Sequence, residues 1–222
     1  QADVSDVNSM RQALHKLNVA PETIIGVIHA AGQNSEVLIQ DKKYQDFQKI
    51  ISPKVMGTLA LDQLFRDTPL KFVCYFSSSS AILGDFGSCD YAIGNRFQMN
   101  YAHYRNQLVK EEKLSGQTYA ICWPVWRSGG MTSDSEANQL YLQSSGQQML
   151  EDDEGTEIFS TIVAQAVEQV LVMKGQAKSI LRFLGVQKNQ KTQKSTQSLL
   201  AVLKKHQLTG LTTQRRIEQE LK

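Results

Sequence analysis

Three continuous apolar runs, each closing on small or polar residues, constrain this chain more than any other feature. They are TIIGVIHAAG (Thr23 to Gly32), KFVCYF (Lys71 to Phe76) feeding four serines, and TYAICWPVW (Thr118 to Trp126). Runs of β-branched and aromatic residues without a polar alternation are the pattern of strands buried on both faces, as in parallel sheets. SILRFLGV (Ser179 to Val186) reads as a fourth strand. Helical spacing fills the intervals. Val7, Met10, Leu14 and Leu17 follow Ser5, a candidate N-cap, and Pro21 ends that region. From Lys43 to about Arg66 the apolar positions are Tyr44, Phe47, Ile50, Ile51, Val55 and Leu59, with Pro53 expected to kink or break the helix. A third helix runs from after Tyr91 to about Lys113, and a fourth, Gly155 to Lys174, turns Phe159, Ile162, Val163, Ala166, Val167 and Val170 inward. Four alternations of strand and helix predict an α/β domain, a doubly wound parallel sheet with helices on both faces. Ligands of such sheets sit beyond the carboxyl ends of the strands, where HAAG, SSSS and WPVW fall.

Length and composition agree with a single core. The chain has 222 residues, 41% hydrophobic and 21% charged, enough for one domain over residues 1–187. A polar, basic stretch follows, KNQKTQKSTQ (Lys188 to Gln197), then two short amphipathic segments separated by Gly210. This tail reads either as a solvated linker or as a helical hairpin that docks or dimerises through Leu199, Leu200, Val202, Leu203, Ile217 and Leu221. The polar stretch from Arg127 to about Asp153 reads as a lid. A net charge of +2 argues against nucleic acid or an anionic membrane as partner. Cys74, Cys89 and Cys122 have neither zinc spacing nor a disulfide framework, so no metal is expected and the cytosol is the expected compartment. No apolar run is long enough to cross a bilayer, and the opening QADVSDVNSM has no signal-peptide core. Beginning at Gln1 with ADVSD, the chain reads like a piece of something longer.

Tyr91 and Asn95, four residues apart, share one face of a helix one turn from each other. Ser78 ends the second apolar run, and Lys54 lies on the helix before it. Singly, these read as a partly buried tyrosine at a helix start, a surface amide and a solvated lysine. Jointly, at the spacings in which they stand, they resemble the catalytic set of the ketoreductase domains of modular polyketide synthases, and that resemblance implies ketone reduction, whose chemistry needs these residue types. Hydride addition to a carbonyl builds an alkoxide, and an acid must protonate it. A phenol with an ordinary pKa of about 10 needs a nearby ammonium to serve near neutrality. Lys54 is the candidate ammonium and Tyr91 the proton donor. Ser78 would hydrogen-bond the carbonyl oxygen and stabilise its developing charge. In HAAG the small residues let a ligand approach the backbone at the strand end, and His29 reads as a packing residue.

At these residues the chain resembles the ketoreductase domains of modular polyketide synthases, a branch of the short-chain dehydrogenase/reductase family with a Rossmann-like fold. Ser78, Tyr91, Asn95 and Lys54 stand at the family spacings within VIHAAG, SPKVMGTLALD, YFSSSSAILGDFGSCDYAIGN and WPVWRSGGM, and the resemblance runs from about Ala2 to Val186. It is similar in particular to domains of bacterial synthases whose acyltransferases act in trans. The resemblance implies NADPH-dependent reduction of a β-ketoacyl thioester carried on an acyl carrier protein. It also implies that Asn95 orients Lys54 or a relay water. Cofactor contacts are implied for Asp3 and Val4 beside the adenine, for Ala30, Ala31 and Gly32, for Ser77 as a support of the turn or the cofactor, and for Pro124 and Val125 at the nicotinamide amide.

Two departures bear on product configuration. Where one class of ketoreductases carries Leu-Asp-Asp, this chain has Asn34, Ser35 and Glu36; where the other class carries a tryptophan, it has Leu83. Together they lean toward the first class, called B-type. The family's glycine-rich phosphate loop and its basic patch for the 2′-phosphate are absent from this sequence. A pyrophosphate normally rests on the helix N-terminus after that loop. The first apolar strand would then leave an edge open for another polypeptide to cover. The expected partners are therefore the acyl carrier protein and the missing amino-terminal half or neighbouring synthase domains. The alternative is a structural or docking half-domain whose cofactor site is never completed.

Overall fold

β1 (Gly26–His29), β2 (Phe72–Ser78), β3 (Gln117–Trp123) and β4 (Gln169–Leu171) form one parallel sheet, in the order β1-β2-β3-β4. The computed structural model describes residues 1–33, 37–84, 88–129 and 136–186. Val27 stands opposite Val73, Val73 opposite Thr118, and Ile121 opposite Val170. The helices are α1 (Val7–Lys16), α2 (Tyr44–Leu64), α3 (Ser80–Leu83), α4 (Cys89–Lys110), α5 (Glu136–Ser145), α6 (Asp152–Ala164) and α7 (Ala177–Phe183).

The chain packs as two units, the first made of Gln1–Pro124 and Ile158–Val172. Side chains alternate across a strand, so β2 sends its residues to opposite faces of the sheet. Val73 and Tyr75 join Val27, Leu61, Phe65, Met99, Ala102, Ala120 and Cys122 in the core beneath α2 and α4. Phe72 and Phe76 meet the ring of Phe159 from α6, with centroids 6.4 and 6.0 Å apart, and the Tyr119 hydroxyl donates to the Val163 carbonyl. Helices thus cover both faces of the central strands, which is why β2 and β3 carry almost no exposed residue. Gly26 lets the ring of Phe72 lie across β1, since a Cβ there would stand 2.4 Å from it. β1 is less covered: Ile25 and Ile28 are exposed, and among the described residues no strand pairs with its outer edge.

The second unit is Val125–Glu157 and Met173 onward. Within it Tyr141 of α5 meets Phe183 of α7 edge-on at 6.0 Å, and Gln147 pairs with Gly175 in an isolated antiparallel bridge. Among the described residues no helix is long and apolar enough to cross a membrane.

Four sequence expectations are corrected. Ser179 to Val186 is not a strand. It lies in and just after α7, which ends in a turn where Gly185, at φ 70°, sends its N–H to Arg182 and Val186 sends its N–H to Leu181. That left-handed glycine is an ordinary helix stop. The fourth strand is Gln169–Leu171, inside the segment expected to be helical to Lys174; α6 instead ends at Ala164, and Ala166 turns the chain at φ 54°. α1 is capped by Asp6, whose carboxylate accepts the Asn8 N–H at 2.8 Å, rather than by Ser5. α2 runs unbroken through Pro53. Asn34, Ser35 and Glu36, residues 130–135 of the expected lid, and the tail 188–222 lie outside the described residues.

Candidate active site

The carboxyl end of β2 is the anchor. Its last residues feed directly into α3: the Ser79 N–H bonds the Trp123 carbonyl of β3 at 2.8 Å, and the half-buried Ser78 hydroxyl accepts the Ser80 N–H at 3.2 Å. Ser78 is therefore held at the strand end by its own turn. Ser77, one residue earlier, points to the other face and donates to the Asn95 carbonyl of α4 at 3.1 Å.

Lys54 comes to the same place from α2. Only 2% of it is exposed, and its Nζ donates to the Phe76 carbonyl at 2.7 Å. A long cationic side chain is laid inward here because α4 offers no side chain at the crossing: a Cβ on Gly94 would stand 3.0 Å from the Lys54 Cβ. Desolvation lowers the Lys54 pKa from 10.5 to about 8. The turn that contains Gly94 is the one that carries Tyr91 and Asn95. Asn95 is fully buried; its Nδ2 donates to the Tyr91 carbonyl at 2.9 Å, and its Oδ1 has no partner among the described residues. A buried amide oxygen without a donor is rare and expensive. Thus β2, α2 and α4 bring Ser78, Lys54 and the turn of Tyr91 and Asn95 together. Asn95 bonds the backbone of Tyr91, not the side chain of Lys54.

Other groups near these four were not singled out by their spacing. Thr58 donates to the Lys54 carbonyl at 2.6 Å and accepts from Gln98 Nε2 of α4 at 3.3 Å, a buried polar link between the two helices. Lys42 and Asp90 form a buried ion pair, with side-chain exposures of 4% and 0%, and Asp90 Oδ1 also accepts the Tyr91 N–H at 2.9 Å. A lysine and an aspartate far apart in sequence ordinarily read as solvated; the one local signal was an acid in the first turn of a helix.

The remaining positions divide. His29 ends β1, 2% exposed, with Nε2 2.9 Å from the Pro53 carbonyl of α2. Burial, reinforced by the charge of Lys54, lowers its pKa from 6.5 to about 4, so it is neutral and donates to that carbonyl. It is a packing residue. Ala30 and Ala31 are exposed and Gly32 half-buried just beyond it. Asp3 folds on itself, its Oδ1 accepting the Ser5 N–H, and Val4 lies against α2, where a Cβ on Gly57 would stand 3.0 Å from Val4 Cγ1. Pro124 is buried at the end of β3. In the second unit the Val125 carbonyl accepts the Leu150 N–H at 2.8 Å. Leu83 closes α3, ahead of Gly84.

The family model of the KR domain matches residues 1–128. Polyketide synthase PksM of Bacillus subtilis (strain 168) is 48% identical over 100% of the chain, which spans 5% of that relative's length. Polyketide synthase ThaG of Burkholderia thailandensis is 38% identical over 83% of the chain and 3% of its own length. Among solved structures, a ketoreductase domain from the bacillaene assembly line matches with a TM-score of 0.76 at 36% identity, covering 82% of this chain and 43% of that one. The parallel sheet and its flanking helices are those of that structure.

Proposed function

The chain belongs to the KR domain family, and on that premise we propose that it takes part in NADPH-dependent reduction of a β-ketoacyl thioester, carried on an acyl carrier protein, to the β-hydroxyacyl thioester during polyketide chain elongation. The observation that carries this reading is the burial of Lys54 at the end of β2, against the helix turn of Tyr91 and Asn95. A buried lysine with its pKa brought down to about 8 is the kind of group that active sites maintain and surfaces do not.

The residues present fit a nicotinamide nucleotide. Exposed Ala30 and Ala31 leave the backbone beyond β1 open to close approach, and the orphaned Asn95 Oδ1 offers an acceptor below the site. In our reading Ala30, Ala31, Gly32 and Pro124, with Asp3 and Val4 at the adenine end, would hold it, and Ser77 supports the turn through its bond to the Asn95 carbonyl. When bound, it supplies the hydride. In our reading the Ser78 hydroxyl holds the ketone oxygen, and Tyr91 delivers its phenolic proton to that oxygen as charge builds there. The Lys54 ammonium favours the phenolate that this leaves behind. Asn95 fixes the turn that carries Tyr91 and offers Oδ1 to a relay water that reprotonates the phenol.

The relatives are long multidomain synthases, of which the chain spans a few per cent, so we assign it neighbouring synthase domains as partners. The open edge of β1, with Ile25 and Ile28 exposed, supports a further strand pairing there. The test is NADPH oxidation followed by absorbance with a β-ketoacyl thioester or a decalone, on the polypeptide that carries the chain. Tyr91→Phe should abolish turnover while leaving NADPH binding intact. Undiminished turnover in Tyr91→Phe would remove Tyr91 as the donor, and no turnover by the unaltered protein would leave the reductase reading without support.

A further inference from the structure

The buried ion pair of Lys42 and Asp90 has no part in the chemistry assigned above, yet it sits at the start of both helices that carry it. Lys42 lies two residues before Tyr44, the first residue of α2, and α2 carries Lys54. Asp90 is in the first turn of α4, immediately before Tyr91. Among its partners in the described residues, the carboxylate takes one on each oxygen. Its Oδ2 takes the Lys42 ammonium, and its Oδ1 takes the Tyr91 N–H. That N–H is among the first in the helix, which have no carbonyl of their own helix to bond; the first intrahelical bond of this turn is Ala92 to Ser88, at 3.0 Å.

A buried ion pair adds little net stability over an apolar pair of the same shape, because both ions must leave water. What it adds is one defined geometry. Here that geometry joins the backbone of Tyr91 to the segment that starts α2. One turn further on, Gly94 lies against Lys54 and fixes the same two helices a second time. Two attachments, one on each side of Tyr91, leave its turn little freedom to rotate over Lys54. The geometry points to Lys42 and Asp90 as positioning residues for Tyr91: they set where the phenol hydroxyl stands relative to Lys54 and Ser78, and so set the turnover rate rather than substrate binding. This rests on the assignment of Tyr91 as proton donor.

Asp90→Asn is the primary variant, since it keeps an oxygen for the Tyr91 N–H and removes only the charge. Lys42→Met takes the cation away from a buried carboxylate, and Lys42→Arg restores the pair. In the polypeptide that carries the chain, Asp90→Asn and Lys42→Met should each lower kcat by about tenfold or more with KM changed less than about threefold, because small misplacement of a reacting group is felt chiefly in the rate. Lys42→Arg should recover most of kcat. Hydrogen exchange read by mass spectrometry should show faster uptake over residues 88–95, with β2 and β3 unchanged. Wild-type kcat in Asp90→Asn and Lys42→Met, or a loss that tracks faster exchange throughout the protein, would overturn the proposal. If the unaltered protein reduces nothing, the reductase reading fails by itself. The exchange measurement still decides the geometry, since unchanged uptake over residues 88–95 would overturn the attachment.

Discussion

Stability should fall between neutral and mildly acid pH by an amount that one residue, His29, largely dictates. The imidazole is buried at the end of β1, bonded through Nε2 to the Pro53 carbonyl, with Lys54 close enough to oppose a second positive charge. Its pKa is about 4 in the folded chain against the ordinary 6.5. A histidine depressed on folding binds fewer protons in the native than in the unfolded state, so stability is fully present above pH 6.5 and is lost as pH falls from there toward 4. The whole window is worth about 3 kcal/mol at 1.36 kcal/mol per pKa unit. Between about pH 7.5 and about pH 5 the His29 share of the loss is about 2 kcal/mol. His29→Gln supplies an amide N–H for the same carbonyl and cannot titrate. Urea unfolding of both proteins at the two pH values isolates the effect, because the carboxylates they share cancel in the difference. The variant should be less stable than wild type at neutral pH, through lost packing on Tyr75, and should close about 2 kcal/mol of that gap at the lower pH. Removing the charge of Lys54, as in Lys54→Met, should shrink the window. Parallel pH dependence in wild type and His29→Gln would refute the assignment of a buried neutral imidazole.

Two further outcomes follow from the seam between α2 and α4. Gly94→Ala adds helix propensity of about 1 kcal/mol but drives a methyl to 3.0 Å from the Lys54 Cβ, where overpacking costs about 1–3 kcal/mol. Denaturant midpoints should therefore shift little or downward while kcat drops about tenfold; a more stable protein with full kcat would contradict the packing described. Lys54, with its pKa lowered to about 8, should make kcat/KM fall above that pH as the ammonium is lost. Stability should do the reverse between pH 8 and 10.5, since there the unfolded chain holds a proton that the folded one has released. A limb that appears only near pH 10 would remove desolvation as the cause.

The parts of this molecule legible in its sequence are those where composition and position say the same thing. β2 and β3 are continuous apolar runs because both of their faces are covered, β1 keeps the apolar pattern although Ile28 is exposed on one face, and each run closes on small or polar residues at the carboxyl end of the sheet. β4 offers no such signal. It is three residues long, half exposed, and joined to β3 by backbone bonds such as Ala120 N–H to Glu168 and Val172 N–H to Cys122, which do not depend on side-chain identity. SILRFLGV failed for the opposite reason: a short apolar run fits a strand or a helix equally, and the left-handed turn at Gly185 that settles it is decided by the bonds of Arg182 and Leu181. Ser78, Tyr91, Asn95 and Lys54 could be selected from the sequence through their joint spacing and a family resemblance. Lys42, Asp90, Thr58 and Gln98 could not, because each is an ordinary polar residue until α2 and α4 are packed.

The same packing explains why so many costly groups are concentrated at one end of the sheet. Lys54, His29, Asn95 and Asp90 are each nearly or fully buried, and each would be cheaper to replace with an apolar residue if stability were the only demand. Their states are interdependent. His29 stays neutral partly because Lys54 is charged, and its N–H fixes Pro53, the residue before Lys54, to the end of β1. The Phe76 carbonyl then gives the ammonium a fixed seat, and Gly94 sets how close α4 lies over it. Between Lys54 and His29 only the lysine carries its charge at neutral pH. A protonated His29 would set a second positive charge against Lys54, so the neutrality of His29 is a condition for Lys54 to stay charged where it is buried.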